Sequence, residues 1–377
     1  MIQAISSRFD YTCLETFKYL NQASLGLIGQ PSVSAMHKFL DQTARHGNLR
    51  MSDTDESSFL NPLRSRFAQL IDSKPENIAI ISSASEILSQ LPYLLSSTGE
   101  NKAIFVSTDF PAITRPWLAY SKKNKCKTCF VVEEENSDLT TQIIKELDKK
   151  TSVVCVSYVQ YSTGTRLDIK RLQAATKSYG AKLVVDITQA AGAIPISVRD
   201  WCADIVVCSG YKWLGGHGGI AFAYFNDQLL AKQPISIGWF GGQDPFEMDA
   251  TRLLLSNTAS KYTQSTLSYI SVVGLVKAID MLIGVGIANI ECHAKELSTI
   301  LTEGLKNCEF KPYCKLTGKE TANHIIALES STRNIELILK RLKENNIVCG
   351  SRNNRIRISV AHYNNEEDIA HLLYCLK

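Results

Sequence analysis

The stretch CSGYKWLGGHGG (208–219) places one lysine, Lys212, between Tyr211 and Trp213, after Ser209 and ahead of a run of glycines. A lysine serving as a solvated charge needs none of that company. About two dozen positions earlier, KLVVDITQAAG (182–192) ends an apolar run on Asp186, with Gln189 one turn later. A carboxylate at the end of a buried strand is costly unless a cation faces it, and capping of the following helix is its plainer use. IISSASEIL (80–88) opens a helix on Ser83, Ala84 and Ser85 directly after a strand. Helix amino ends present free amides and a positive dipole end, which suits a phosphate. A serine cap with Glu86 in the first turn explains the same residues without a ligand. Finally, STDFPAITRPW (107–117) offers an aromatic ring, Phe110, on a loop fixed by two prolines.

These residues need elements to carry them. Between about 75 and 225 the runs NIAIIS, KAIFVS, CFVV, SVVCVSYV, KLVVD, DIVVCS and GIAFAYF alternate with helical patterns such as SEILSQLPYLLSS and DIKRLQAATKSYG. Fully apolar strands separated by helices predict an α/β fold with a mainly parallel seven-stranded sheet covered on both faces. In such sheets ligands bind beyond the carboxyl ends of the strands, where Asp186, Ser209 and Lys212 fall. After residue 255 a long helix (about 266–305), the strands HIIALES and RIRISV and two more helices predict a small α+β domain. The expected organisation is a large domain over 21–255, a small one over 256–377, and residues 1–20 joining the latter.

The pieces fit one ligand. Pyridoxal 5'-phosphate needs a lysine amine to hold it covalently, a carboxylate to keep its ring nitrogen protonated, a phosphate cradle and a flat face to stack on. The lysine must be a free amine part of the time, which favours a desolvated, cation-adjacent setting.

The longer pattern VVDITQAAGAIPI…DIVVCSGYKWLGGHGGIAF resembles the core motif of the class V aminotransferases, pyridoxal-phosphate enzymes of fold type I. Cysteine desulfurases, kynureninases, C–S lyases and isopenicillin N epimerase-like proteins belong to that family. YLNQASLGL is similar to its amino-terminal segment, SYVQYSTGTRLDI to its middle strand and turn, and IRISVAHYNNEEDI to its carboxyl-terminal signature, so the resemblance spans nearly the whole chain. It implies that Lys212 carries the cofactor, Asp186 pairs with the pyridine nitrogen, Gln189 bonds the phenolic oxygen and Phe110 stacks on the ring. Ala84, Ser85, Ser209 and Tyr211 would hold the phosphate. Arg357 matches the family arginine that grips the substrate α-carboxylate, a task suited to a guanidinium fork; on residue type alone it reads as an outward surface arginine, as Arg352 and Arg355 do. In KYTQSTLSYISVVGL, Thr266 falls where the family reaches a neighbouring subunit's phosphate, which implies a homodimer with shared active sites. The family usually has glycine before that threonine, where this chain has Ser265.

The cofactor does not choose the reaction. Transamination, racemisation and β-elimination share the loss of the α-proton, with the released Lys212 as shuttle. Desulfurases of this family carry a nucleophilic cysteine on a loop well before the Arg-x-Ser signature. Here Cys349 sits only eight positions before Arg357 and reads as a packed thiol at a strand end. The expectation is therefore β-elimination on a β-substituted amino acid, of the C–S lyase kind, with an aminotransferase or epimerase as the alternative and a desulfurase behind them. Gln160 and His217 are candidates to face the substrate.

Bulk properties exclude other classes. A net charge of +4, from 41 bases against 37 acids, predicts no nucleic-acid partner. Eleven cysteines lie mostly scattered or within apolar runs, as expected of reduced thiols in a cytoplasmic protein. CKTC (126–129) has no second pair to complete a metal site. The amino terminus lacks a basic stretch leading into an apolar core, and YISVVGLVKAIDMLIGVGIANI is interrupted by Lys277 and Asp280, so neither a secretory leader nor a membrane span is expected. No GxGxxG opens a helix after a strand, which removes a dinucleotide fold.

Overall fold

The computed structural model describes residues 1–96, 99–134, 137–306, 308–314, 318 and 320–377. Seven apolar segments form one sheet: β1 (Ile78–Ile81), β2 (Asn101–Val106), β3 (Cys126–Val131), β4 (Thr151–Ser157), β5 (Lys182–Asp186), β6 (Ile205–Ser209) and β7 (Ala221–Phe225). Their spatial order is β1-β7-β6-β5-β4-β2-β3. The pairs from β6 through β3 are parallel, while β7 runs antiparallel to both β6 and β1. Central strands are buried on both faces, hence their β-branched and apolar composition. One core cluster packs Val154, Val156, Leu183 and Val185 on one side, and a second packs Val153, Cys155, Val184 and Val207 on the other. This is the expected α/β architecture, and β2 beside β4 is where the strand order reverses.

Two expectations need correction. CKTC lies inside β3, which begins earlier than the CFVV run implied; residues three apart in a strand face opposite sides, so the two thiols diverge. The long helix breaks at Gly286 (φ 87) into Tyr269–Val285 and Ile287–Gly304, bent by 72°. The first half buries Val272, Leu275 and Ile279 in the core of the large sheet, whereas the second buries Leu297 and Leu301 among the carboxyl-terminal elements. Among the described residues, no single helix is long and apolar enough to cross a membrane.

The carboxyl-terminal part holds an antiparallel sheet in the order Gly350–Arg352, Arg355–Ser359, Ile325–Glu329 and Lys311–Pro312. The amino terminus is fastened to it. Lys18–Tyr19 pairs in parallel with Ile347–Val348, and Arg8 reaches Asp368 at 2.8 Å. The segment that follows, Asn21 to Leu27, then crosses to the large sheet's carboxyl edge.

Candidate active site

The backbone around Lys212 is over-determined. Its carbonyl accepts from the Gln22 side-chain amide (3.0 Å) and from the Gly215 amide (3.1 Å). Gln22 in turn accepts from the Tyr363 hydroxyl at 2.6 Å, tying the lysine loop to the carboxyl-terminal region. A Cβ on Gly26 would stand 2.0 Å from the Lys212 oxygen, so only glycine permits this approach. The side chain is 7 % exposed, with Nζ 5.3 Å from the centre of the Phe110 ring and 5.6 Å from that of Tyr211. Burial pulls its pKa down to about 8; the Arg357 and Arg352 charges push the same way and Asp186 opposes them. The amine is thus partly neutral near physiological pH.

Asp186 ends β5 and is buried. Its Oδ1 accepts from the Thr188 amide at 2.7 Å, and burial raises its pKa despite the opposing Lys212 charge. No ion pair joins it to a cation among the described residues. Gln189 is locked by both ends of its amide: Nε2 donates to the Ala23 carbonyl (3.1 Å) and Oε1 accepts from Trp213 Nε1 (2.8 Å). His324, edge-on to Trp213, donates from Nε2 to the Gln189 carbonyl at 2.6 Å. Ser209 ends β6 with its amide on Thr188 Oγ1 (3.1 Å), and Tyr211, whose phenol burial keeps un-ionised, follows it. Ala84 and Ser85 are the first two residues of the helix Ala84–Leu88, where amides have no intrahelical acceptor. Glu86 meanwhile folds back onto the Ser82 amide and hydroxyl, while the Ser83 side chain makes no capping bond, so the plain serine cap is not formed.

At the other end of the cleft stands Arg357. Far from being an outward surface residue, it is 1 % exposed. Nη1 donates to the Tyr161 carbonyl (2.9 Å), Nη2 donates to Ser24 Oγ, and Nε has no partner. Burial, reinforced by Arg352, lowers its pKa to about 10. A buried guanidinium without a carboxylate is expensive unless a ligand supplies one. Phe110, 41 % exposed, meets Tyr161 edge-on at 5.7 Å and forms the wall between the two ends.

Three expectations did not survive. Gln160 is 0 % exposed and its amide is spent on Asp109 Oδ1 (3.2 Å) and Thr108 Oγ1 (3.3 Å), so it faces no substrate. His217 lies exposed on its glycine loop, bonded to the Gly218 carbonyl beside it. Arg352 is no bystander, for its Nη2 donates to Ser24 Oγ at 3.4 Å. Arg355 is structural as expected, paired with Glu329 at 3.0 Å. Thr266 is exposed on the stretch before Tyr269. The sequence reading missed Asp109, although it quoted STDFP. This carboxylate accepts from the Ser157 amide (3.2 Å) and from Gln160, pinning the Phe110 loop to the end of β4; burial lifts its pKa to about 7.

A buried amine of lowered pKa, an unpaired buried carboxylate, an aromatic face, open helix amides and a buried arginine without a counter-ion, set at the carboxyl edge of a mainly parallel sheet, fit pyridoxal phosphate and define a fold type I scaffold. The match to known proteins agrees. The family model "Aminotransferase class-V" covers residues 18–372, and the chain belongs to that family of pyridoxal-phosphate-dependent enzymes. It is 26 % identical over 365 residues to the uncharacterized aminotransferase YcbU of Bacillus subtilis (strain 168), covering 96 % of this chain and 94 % of that one. It is 24 % identical to the kynureninase of Bacillus mycoides (strain KBAB4), over 95 % and 87 % of the two chains. A solved structure of the cystine C–S lyase C-DES with its product cysteine persulfide superposes with a TM-score of 0.88 at 19 % identity, over 97 % and 98 % of the chains.

Proposed function

We propose that this enzyme cleaves the Cβ–S bond of a β-substituted α-amino acid by elimination. The observation that carries the reading is the placement of Cys349: it lies between the strands Ile347–Val348 and Gly350–Arg352, packed against the apolar core of the carboxyl-terminal part, where burial pushes its pKa up to about 12. A thiol held protonated is a poor nucleophile toward sulfur, which argues against the desulfurase route.

The bound cofactor supplies the electron sink that makes the substrate α-proton acidic. Lys212 would hold it, Asp186 would offer a negative charge to the pyridine nitrogen, and Phe110 would stack on the ring. The first-turn amides at Ala84 and Ser85, with Ser209 and Tyr211, would take the phosphate. Arg357 binds the substrate carboxylate through its free N–H groups. Lys212 Nζ, once released as a free amine, would take the α-proton, for which its pKa of about 8 is well matched to neutral pH. The Cβ–S bond breaks with the electron pair on sulfur. The resulting enamine hydrolyses to pyruvate and ammonia, so that one water is consumed and one thiol released. Thr266, exposed on the stretch before Tyr269, supports a homodimer in which each chain completes the other's phosphate site, with residues 21–255 as the cofactor-binding unit.

Absorbance of the purified holoenzyme with cysteine, cystine and other amino acids, alongside pyruvate, ammonia and sulfide assays, tests this. Pyruvate and ammonia in equal amounts, with the cofactor band restored, is the expected result. Conversion of the cofactor to its amine form with release of a keto acid would replace elimination by transamination, the reading that the name of the B. subtilis relative supports.

A further inference from the structure

Arg352 and Arg357 hang from one hairpin. Its two-residue turn, Asn353–Asn354, has both φ angles positive (50 and 57), the geometry of a tight hairpin turn that fixes register. Arg352 is thereby set opposite Arg355 and Gly350 opposite Arg357. Opposed residues share a face, so Arg352 and Arg357 are diagonal neighbours on the same side. Gly350 leaves the space between them open. A Cβ there would lie 3.0 Å from Asn21 Oδ1 and 3.6 Å from both Arg357 Nη2 and Ser24 Oγ. Both guanidinium groups donate to the one Ser24 hydroxyl. Arg355, on the same hairpin, is neutralised by Glu329 and lies over the Tyr313 ring. Arg352 and Arg357 have no such partner: among the described residues no carboxylate comes within ion-pair distance of either. Each lowers the pKa of Lys212, so the charge of both is felt at that amine.

Two converging cations that share a neutral acceptor repel each other. A single α-carboxylate balances one of them and leaves the second in excess. We propose that Arg352 selects the substrate: the cleft takes an α-amino acid whose side chain ends in a second compact anion, in the simplest case a carboxylate. Arg357 holds the α-carboxylate and Arg352 the distal anion. This rests on reading the cleft as an amino-acid site and is independent of whether the reaction is elimination or transamination.

The test is calorimetric titration of the holoenzyme with succinate and with butyrate, four-carbon acids that differ by one carboxylate and undergo no turnover. Succinate is expected to bind roughly tenfold or more tightly than butyrate, since charge-assisted hydrogen bonds carry that order of free energy. In Arg352→Gln the preference should fall to about unity, with Arg352→Lys keeping part of it. Arg357→Gln should weaken both acids. Equal affinity in the wild type, or a preference untouched in Arg352→Gln, would overturn the assignment while leaving the amino-acid cleft intact. Failure of both acids to bind the wild type would remove the amino-acid reading itself, and this inference with it.

Discussion

Two Lys/Asp pairs hang on the same two strands, at opposite edges of the sheet. At the amino edge Lys182 opens β5 and Asp204 precedes β6; they meet at 2.9 Å, and Asp204 also accepts from the Leu183 amide (2.9 Å) and from Asn226 (3.1 Å). At the carboxyl edge Asp186 closes β5 and Lys212 follows β6, yet the two do not close into an ion pair. The residue types are alike and their states are opposite. The first pair is satisfied within the protein and does structural duty. The second leaves a buried acid and a buried amine each short of a partner, which is the condition of groups waiting for a ligand. Open space does not mark the difference, for the amino edge has a cavity of about 450 Å³ lined by Lys182, Asp204 and Lys177. What differs is which charges have been answered.

Breaking that contrast gives the predictions. Lys212→Ala should lower turnover by on the order of 10⁴-fold and abolish covalent cofactor retention, read by mass after borohydride reduction. Lys182→Ala should leave turnover intact and cost about 1 kcal/mol of stability, its side chain being one-third exposed. Substantial turnover by Lys212→Ala would end the assignment. Asp186→Asn should reduce kcat by roughly 10²–10³ without lowering the melting temperature, because an unpaired buried charge is removed. Asp204→Asn should instead destabilise by about 1–3 kcal/mol; the same loss from both would erase the distinction. Arg357→Ala should raise KM by more than about tenfold, and an unchanged KM would move the carboxylate clamp elsewhere.

The smallest effect is one of pH. A protonated amine cannot attack the cofactor aldehyde. Reloading of cofactor-free enzyme should therefore quicken about tenfold per pH unit up to about 8 and level off above it. Acceleration continuing toward 10.5, the value for an ordinary lysine, would mean that Lys212 is not desolvated as described.

Much of the scaffold was legible. The seven strands of the large sheet overlap the apolar runs, closely at the centre, where a strand buried on both faces needs an unbroken apolar sequence, and only in part at the edge strand β3, which extends back over CKT. Asp186 and Lys212 stood out because a charge ending such a run has no local reason to be there. Gln160 misled for a related reason: its position after a strand matched a substrate-facing residue, but the amide turned inward to serve Asp109. Asp109 itself went unremarked because Asp before a proline-fixed helix start is ordinary turn chemistry.

The sequence by itself determined the strand pattern, the family, and the placing of a lysine and an aspartate at the ends of neighbouring strands, since each depends on residue type and on spacing along the chain. Only the tertiary structure decided which arginine is buried, that Arg352 joins Arg357 over Ser24, and that Gln22 and Tyr363 hold the lysine loop in place. Those facts rest on contacts between residues more than three hundred positions apart in the chain for Ser24 with either arginine, and for Gln22 with Tyr363. Burial and electrostatic partnership are properties of such contacts, and no local pattern encodes them.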